Sequence, residues 1–349
     1  MNRSACLADD LPSLTLRSEQ GIACLPSPAG AFSFPRSMDL IIVIVSFNTR
    51  ELLADCLNSV YAGLTQSDLL GQVWVVDNAS SDGSAEMVQR KFPSARLVSK
   101  EENLGFARAN NEALQDIGPG LERQTKYVLF LNPDARVVGD ALGVMTRFLD
   151  ETSEAGAAGA RLVHGDGNFQ HSAFSFPGLA QIFLDFFPIH HRLVDSRLNG
   201  RYPQSLYGSG DPFEVDHPLG AALMVRSETL AELGGFDDRF FMYCEEIDLC
   251  RRIRFAGWQI YCVPEATIVH LVGQSTGQFR HEMFVALWRS RFLMYGKHES
   301  PAFRWAARRL VQLGLWAEAR RARAAFRRGE TDRDALERQL AAFREIASL

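Results

Sequence analysis

The chain has 349 residues, 46% of them hydrophobic, and a formal net charge of −5. This length is enough for two domains, or for one large α/β domain with extensions, and the composition is ordinary for a globular protein. Because the net charge is negative, the chain as a whole does not attract nucleic acid. An anionic partner would have to meet a local basic patch.

Cysteine usage and hydrophobicity indicate the compartment. The chain has neither a Cys-x-x-Cys pair nor histidines at zinc spacing around its six cysteines, Cys6, Cys24, Cys56, Cys244, Cys250 and Cys262. We therefore expect reduced, mostly buried thiols. No stretch offers about 20 consecutive apolar residues for a membrane span, and residues 1–37 lack the apolar core of a secretory signal. These features predict a cytoplasmic protein, soluble or peripheral on the inner face of the membrane.

The first part of the chain has the pattern of repeated β-α units. Residues 1–37 mix Pro, Ser and Gly without a helical or strand period, which predicts a mobile extension and a fold that begins at Met38. Residues 40–45 predict a buried parallel strand, followed by a polar turn, an amphipathic helix and a second strand over residues 73–76. A right-handed crossover then places the carboxyl ends of both strands side by side.

Polar turns follow the predicted strands at that edge. Residues 77–84 are rich in turn formers, and Asp82 or Ser84 can cap the next helix, which leaves Asp77 free for a ligand. A capped loop without a ligand is the alternative. Residues 95–98 predict a short third strand, and residues 102–111 a glycine turn that enters a helix with several asparagines. Asparagine is a poor helix former and usually has a local reason, although an ordinary polar helix start is the alternative.

The run of apolar residues over 127–131 is the central feature. It predicts a strand buried on both faces, and Pro133 and Asp134 follow it. Proline stops the ladder, so Asp134 is expected to project into the crevice where open α/β sheets bind ligands. That position suits a metal ion that bridges a diphosphate. A simple turn aspartate is the alternative.

The second half of the chain is less regular. Residues 157–163 and 221–226 predict strands, and between them residues 169–210 form a long segment, rich in Phe, Pro and His, of the kind that is often functional. Residues 234–252 combine a Gly-Gly turn, an aromatic wall and three acids, Glu245, Glu246 and Asp248, in the first turn of a helix. Acids also favour the helix macrodipole without any catalytic role. Residues 259–264 and 266–270 predict short strands, and His270 ends the second.

Taken together, these motifs resemble the family 2 glycosyltransferases of GT-A fold and, within them, the rhamnosyltransferase-like branch. The matching pieces run in family order over about residues 39–298. They are residues 45–48, 76–83, 103–107, 131–134, 234–237, 241–248 and 269–270. The resemblance implies an α/β fold with a Rossmann-like, mostly parallel central sheet, helices on both faces and additional C-terminal helices. It divides the chain into a catalytic domain over 38–272, with a nucleotide-sugar half (38–135) and an acceptor half (136–272), and a helical extension over 273–349.

The resemblance also implies the chemistry. Members transfer a sugar with inversion from a nucleotide diphosphate to an acceptor hydroxyl, here of a glycan or lipid-linked glycan in bacterial surface polysaccharide synthesis. The implied donor site contains Ser46, Asn48, Asp77 at the base, Asn103 and Asp134. Asp134 and His270 are the implied ligands of Mg²⁺ or Mn²⁺. Glu246 is the first choice for the catalytic base, with Glu245 or Asp237 as alternatives, and Asn110 stands where many members have an arginine.

Several alternatives remain open at this point. L-rhamnose from dTDP-rhamnose is the first choice of donor on branch resemblance, with a UDP- or GDP-sugar as the alternative. The single metal acid, and Glu-Glu where Glu-Asp is usual, also allow a nucleotide-sugar-binding scaffold without catalysis. A nucleotidyltransferase is disfavoured because no Gly-rich basic loop follows the first strand.

The C-terminal region allows two interpretations. An apolar stripe over residues 303–314 lies opposite Arg304, Arg308 and Arg309, and further arginines follow up to residue 328. Such a segment would attract anionic membrane, or it would pack on the catalytic domain with its arginines in water. Residues 275–276 and 289–291 could likewise contact diphosphate or acceptor, or belong to a capped helix. The sequence also allows a homo-oligomer.

Overall fold

The computed structural model describes residues 38–271 and 280–349. The predicted extension over 1–37 and the predicted ligand contacts at 275–276 lie outside these ranges. Within them, every helix is too short or too polar to cross a bilayer. Cys56, Cys244, Cys250 and Cys262 are buried free thiols, which confirms the prediction for the described cysteines.

The N-terminal half alternates strands and helices, as its sequence pattern predicts. The elements are β1 (Met38–Ser46), α1 (Arg50–Gln66), β2 (Gly71–Asp77), α2 (Ser84–Lys91), β3 (Arg96–Ser99), α3 (Phe106–Ile117), α4 (Leu121–Gln124) and β4 (Thr125–Leu131). Strands β3, β2, β1 and β4 lie side by side in that order and pair in parallel. Their carboxyl ends therefore meet at one edge, with Ser46 opposite Asp77.

The second half completes the sheet and adds helices. Its elements are β5 (Ala135–Val137), α5 (Ala141–Glu151), β6 (Ala155–Val163), β7 (Phe169–Gln170), β8 (Ala173–Phe174), α6 (Leu179–Phe186), α7 (His191–Val194), a 3-10 helix (Arg197–Asn199), α8 (Gln204–Gly208), β9 (Phe213–Glu214), β10 (His217–Pro218), β11 (Ala222–Arg226), α9 (Ser227–Leu233), α10 (Glu245–Phe255), β12 (Gln259–His270), α11 (Arg280–His298), α12 (Pro301–Arg327) and α13 (Arg333–Ser348). The segment over 169–210 thus contains short elements of its own.

The complete sheet is mixed. Within the described residues, the main path is β3-β2-β1-β4-β11-β6-β12-β5. Strand β11 enters antiparallel between β4 and β6, β12 runs parallel to β6, and β5 is antiparallel to β12. The α/β prediction is confirmed, with parallel pairing concentrated in the N-terminal half. The two strands predicted over 259–270 are one strand, β12, whose register against β6 shifts between Val263 and Thr267, where Pro264 cannot donate to the ladder.

Helices cover both faces of the sheet, because its central strands are apolar on both. In β1, Ile41 and Val43 belong to a core that includes α3, α10 and the C-terminal helices. Leu40 and Ile42 point the other way, into a core formed with α1, α2 and α5. This two-sided burial is the reason for the continuous apolar runs at residues 40–45 and 127–131.

Hydrogen bonds and ion pairs attach α11 to the earlier part of the chain. Ser290 donates a 2.6 Å hydrogen bond to the carbonyl oxygen of Met242, and Arg291 pairs with Asp185 at 2.5 Å. Lys297 lies 2.7 Å from the buried carboxylate of Asp248. The interpretation of residues 289–291 as part of a structural helix is therefore favoured over contact with a diphosphate.

Gly105 is required where α3 begins. Its φ of 79° and ψ of −178° lie in a region that essentially only glycine occupies. The amide of Phe106 donates a 2.7 Å hydrogen bond to the carbonyl oxygen of Phe241, and a Cβ on Gly105 would collide with that same oxygen. This contact brings the residue 241 loop against the start of α3 in the N-terminal half of the chain.

We predict that Gly105→Ala destabilises the protein more than Gly118→Ala does. Gly118, at the other end of α3, has a φ of 87° and a ψ of −178°, but a Cβ added there would meet no atom within 4 Å. Both substitutions incur backbone strain of about 1–3 kcal/mol, and the first adds the collision with Phe241. Urea unfolding of both variants measures the difference, and equal losses would show that the contact with Phe241 does not limit residue 105.

Candidate active site

A cavity of about 630 Å³ opens at the carboxyl edge of the parallel strands. Its wall includes the ends of β1 and β4, the turn after β2, the residue 241–246 segment and the first turn of α11. The polar side chains of this wall are Asn78, Asn103, Asn132, Asp134, Gln170, Glu245, Glu246, His270 and Glu282. The edge of the sheet is therefore a concave site with several acids and amides, as expected for an open α/β sheet.

Asp134 and His270 meet in this wall although they are far apart in sequence. β4 ends at Leu131, a tight turn follows, and β5 then pairs antiparallel with β12, which places His270 opposite Ala135. The Asp134 Oδ1 atom lies 3.5 Å from His270 Nε2, and each residue is only 6% exposed. The two residues predicted from separate motifs thus form one buried pair.

The side chain of Gln170 contacts the His270 ring at its Nδ1 atom. Its Nε2 atom lies 3.0 Å from His270 Nδ1, while its Oε1 atom is buried without a hydrogen-bond partner among the described residues. A 180° rotation of the amide would place Oε1 at this distance and let Nδ1–H donate to it. In that tautomer His270 Nε2, which also lies 3.4 Å from Asn132 Nδ2, carries the lone pair that can bind a metal, as is usual for a metal-ligating histidine.

The donor set suits a divalent cation that also binds phosphate. A carboxylate and an imidazole are ligands that Mn²⁺ accepts, and Mg²⁺ retains water and substrate oxygens. Within the described residues, no group of three or more His, Cys, Asp or Glu could hold a metal alone. Asp134 and His270 could therefore hold an ion whose remaining ligands come from the donor and water.

Glu245 and Glu246 begin α10 after a strained turn. Tyr243 and Cys244 have φ values of 69° and 65°, which are uncommon for residues other than glycine. Each glutamate has a buried Oε2 atom without a hydrogen-bond partner among the described residues. Unsatisfied buried carboxylate oxygens in a cavity are costly and point to a ligand.

Burial makes both glutamates weaker acids. It raises the pKa of Glu246 to about 7. Burial, together with the neighbouring charge of Glu246, raises the pKa of Glu245 well above its ordinary value. The pair can therefore hold and exchange a proton near neutral pH. Raised carboxyl pKa values in a cleft are typical of catalytic acids and bases.

Asp237 and Asp248 have structural partners instead. Arg239 and Lys297 hydrogen bond to Asp237 and lower the pKa of its carboxyl group. Asp248 is fully buried and bonded to Arg252, Lys297 and a histidine of α11, which outweigh burial and lower its pKa too. A carboxylate held in this way is a poor proton acceptor, so the structure disfavours Asp237 as an alternative base.

The turn after β2 supplies the other polar wall. Asp77 accepts a 3.1 Å hydrogen bond from the amide of Ser80 through Oδ2, while its Oδ1 is buried without a partner among the described residues. Asn78 donates to Asn103 Oδ1 at 2.8 Å and accepts from the amide of Leu104 at 2.9 Å. Asn78 and Asn103 thus connect two loops at the cavity, and Asp77 keeps one free acceptor beside them.

Ser46, Asn48 and Asn110 have local partners. Ser46 is fully buried, 2.9 Å from the Thr49 hydroxyl oxygen. Asn48, with a φ of 52°, accepts a 2.8 Å hydrogen bond from the amide of Ser81. Asn110 donates to the carbonyl oxygen of Phe106 within α3. None of the three is in the described cavity wall: Ser46 ends β1, Asn48 lies in the turn that follows, and Asn110 lies within α3.

Sequence reasoning missed Asn78, Gln170 and Glu282 as wall residues. Asn78 lies inside the polar turn at residues 77–84, next to Asp77, so the sequence did contain a signal that could have identified it. Gln170 belongs to a two-residue strand in the irregular segment, and Glu282 to a helix of the predicted extension. Neither Gln170 nor Glu282 lies in a local sequence pattern that distinguishes it from an ordinary polar surface residue.

Comparisons with known proteins place the chain in a family. Residues 41–208 match the family model described as Glycosyl transferase family 2. An N-acetylglucosaminyl-diphospho-decaprenol L-rhamnosyltransferase of Mycobacterium tuberculosis is 28% identical over 242 residues, which cover 66% of this chain and 76% of the relative. Rhamnosyltransferase WbbL of Escherichia coli strain K12 is 26% identical over 210 residues, which cover 59% and 72%.

Solved structures show the same fold at low identity. The mannosyltransferase PcManGT of Pyrobaculum calidifontis, in complex with GDP-Man and Mn²⁺, has a TM-score of 0.53 at 18% identity, covering 89% of this chain and 86% of that one. GalNAc-T7 with UDP, GalNAc and Mn²⁺ has a TM-score of 0.52 at 14% identity, and the match covers 67% of this chain but only 43% of that one. The chain therefore has the GT-A fold, its residues 41–208 match the family 2 glycosyltransferases, and its curated relatives include rhamnosyltransferases.

Proposed function

We propose that this enzyme transfers L-rhamnose, with inversion, from dTDP-rhamnose to a hydroxyl of a lipid-linked glycan in bacterial surface polysaccharide synthesis, and that it needs a divalent metal. The observation that carries the mechanism is the convergence of Asp134, His270 and Glu246 on one cavity. The name of the Mycobacterium tuberculosis relative specifies L-rhamnose and an acceptor linked to diphospho-decaprenol, which supports this sugar and this class of acceptor.

The donor would extend across the carboxyl edge of the sheet. The free Oδ1 of Asp77 is suited to accept a hydrogen bond from the N–H of a pyrimidine base, beside Asn78 and Asn103. The diphosphate would lie at Asp134. A divalent ion held by Asp134 and His270 would offset the negative charge that builds on the departing diphosphate.

Glu246 would supply general-base catalysis. It takes the proton of the acceptor hydroxyl as that oxygen bonds to the sugar C1 atom, and the bond between C1 and the diphosphate oxygen breaks with its electron pair leaving on the diphosphate. Because attack and departure occur on opposite faces, the anomeric configuration inverts. Burial and the charge of Glu246 raise the pKa of the neighbouring Glu245, which disfavours a second negative charge beside the base.

We predict that Glu246→Gln lowers kcat about 10²–10⁴-fold and leaves donor affinity nearly unchanged, because general-base catalysis contributes that much. Glu245→Gln is the matched control. Because Glu245 is not the proposed base and its raised pKa already disfavours the charged form, an amide should cost much less there. Turnover and donor titration of both variants provide the measurement. Full activity in Glu246→Gln would assign the base elsewhere, whereas a wild-type protein that binds donor without turnover would be a scaffold.

The pH dependence follows from the raised pKa of Glu246. The base must be ionised, so kcat/KM is expected to rise with pH and level off above about 7, the pKa of that group. At pH 6 it should be about a tenth of the plateau, because the rate follows the ionised fraction of the base. The acidic limb should disappear in Glu246→Gln. A flat profile between pH 5 and 8 in wild type would contradict this assignment.

Donor identity and metal dependence can be tested together by thermal shift. Ligands that bind the folded state raise the apparent melting temperature, so dTDP-rhamnose with Mn²⁺ should raise Tm more than UDP- or GDP-sugars do. Asp134→Asn should abolish the Mn²⁺-dependent part of this shift, and Asp116→Asn, an exposed change on α3, should preserve it. A larger shift with a UDP- or GDP-sugar would identify that donor instead, and an unchanged shift in Asp134→Asn would exclude Asp134 as a ligand.

A further inference from the structure

Helix α12 buries the apolar stripe that its sequence displays. Ala307, Val311 and Leu315 are buried, and Gly314 lies so close to α6 that a Cβ there would collide with the Phe186 ring. This stripe therefore packs on the enzyme itself. Because protein already covers the stripe, the stripe itself is not available to a membrane, and the predicted attraction to anionic lipid falls to the arginines of this segment.

The opposite face of α12 has unexpected exposed aromatic residues. Trp305, Leu313 and Trp316 are 64%, 50% and 57% exposed. Arg309, Arg320, Arg323 and Arg327 are exposed as well, and all seven positions fall on one side at 3.6 residues per turn. We call these seven residues the Trp-Arg face. From residue 305 to residue 327 it is about 33 Å long at 1.5 Å per residue.

The charge of this face is entirely positive. Helix α12 contains a single acid, Glu318, which lies off the Trp-Arg face and pairs with Arg321. On the face itself, the Arg309 guanidinium lies 5.8 Å from the centre of the Trp305 ring, and that of Arg320 lies 4.8 Å from the Trp316 ring. Each of these two arginines is thus stacked beside an aromatic residue and keeps its charge available to a partner.

We propose that the Trp-Arg face docks on the surface of an anionic lipid bilayer. Tryptophan prefers the boundary between headgroups and acyl chains, and a row of arginines is attracted to anionic headgroups. Leu313 adds an apolar side chain on the same side. A second copy of the chain fits the face poorly, since two such faces would bring arginines against arginines. This inference is independent of the sugar and donor proposed above.

Vesicle flotation with the full chain tests the proposal. Wild type should bind phosphatidylcholine vesicles that contain phosphatidylglycerol, bind neutral phosphatidylcholine vesicles much less, and dissociate as salt screens the charges. The triple change Arg309→Gln, Arg320→Gln and Arg323→Gln should weaken binding roughly 100-fold, at about 1 kcal/mol per arginine. Its matched control, Arg96→Gln, Arg333→Gln and Arg344→Gln, removes three exposed arginines elsewhere and should have little effect.

The tryptophans require a separate pair of variants. Trp305→Ser with Trp316→Ser should weaken vesicle binding at least about tenfold, because their apolar burial in the interface is lost. Phe255→Ser is the control, since Phe255 is 96% exposed on α10. Vesicles with brominated acyl chains should quench wild-type tryptophan fluorescence, and this quenching should disappear in the double variant.

Several outcomes would overturn the proposal. They are absence of wild-type binding to the anionic vesicles, equal losses in the face variants and their controls, or binding to RNA that depends on the face when vesicle binding does not. Unfolding midpoints of all variants should match wild type. Turnover with a soluble acceptor should be unchanged in the face variants, so failure of this proposal and failure of the proposed transfer reaction are separately visible.

Discussion

The site depends on one pairing, the antiparallel contact of β5 with β12. β5 follows Asp134 directly, and β12 ends at His270, so this pairing alone brings the carboxylate and the imidazole to 3.5 Å. Both are almost fully buried at the cavity wall. If β12 ended two residues earlier, or paired elsewhere, Asp134 would lack the imidazole of His270 beside it. Gln170 would then have no histidine ring to contact.

A second constraint is the tight junction between the residue 241 loop and α3. Gly105 lets the carbonyl of Phe241 approach the first amide of α3, and Asn111 extends the junction by bonding both to the Phe236 backbone and to Asp238. The loop then turns through Tyr243 and Cys244 into α10. The position of the base candidate Glu246 is therefore determined by a loop that also lines the cavity.

The first of the C-terminal helices reaches the candidate site. Helix α11 contributes Glu282 and Met283 to the cavity wall, and its far end holds Asp248 through Lys297 and a histidine. Helix α12 packs against α6 and α13 with one face and exposes the Trp-Arg face with the other. The family match over residues 41–208 includes none of these helices and excludes both Glu246 and His270. Much of the candidate site thus lies in the less regular part of the chain.

The sequence by itself determined the β-α repeats, the strand ends and the acids placed there. Continuous apolar runs such as residues 127–131 are possible only for strands covered on both faces, and polar turns must follow where the ladder stops. Asp77, Asp134, Glu246 and His270 could be selected in this way because each lies at or close to the end of an element.

Only the tertiary structure decided which of these groups meet and in what state. Gln170 has no local pattern, and its contact with His270 exists only because a two-residue strand pairs with β6, which is the neighbour of β12. The raised pKa values of Glu245 and Glu246 arise first from burial, which is set by elements distant in sequence. The same is true of α12, where periodicity shows two faces but cannot tell which one the rest of the protein covers. Burial is a property of the assembled fold, and local sequence does not contain it.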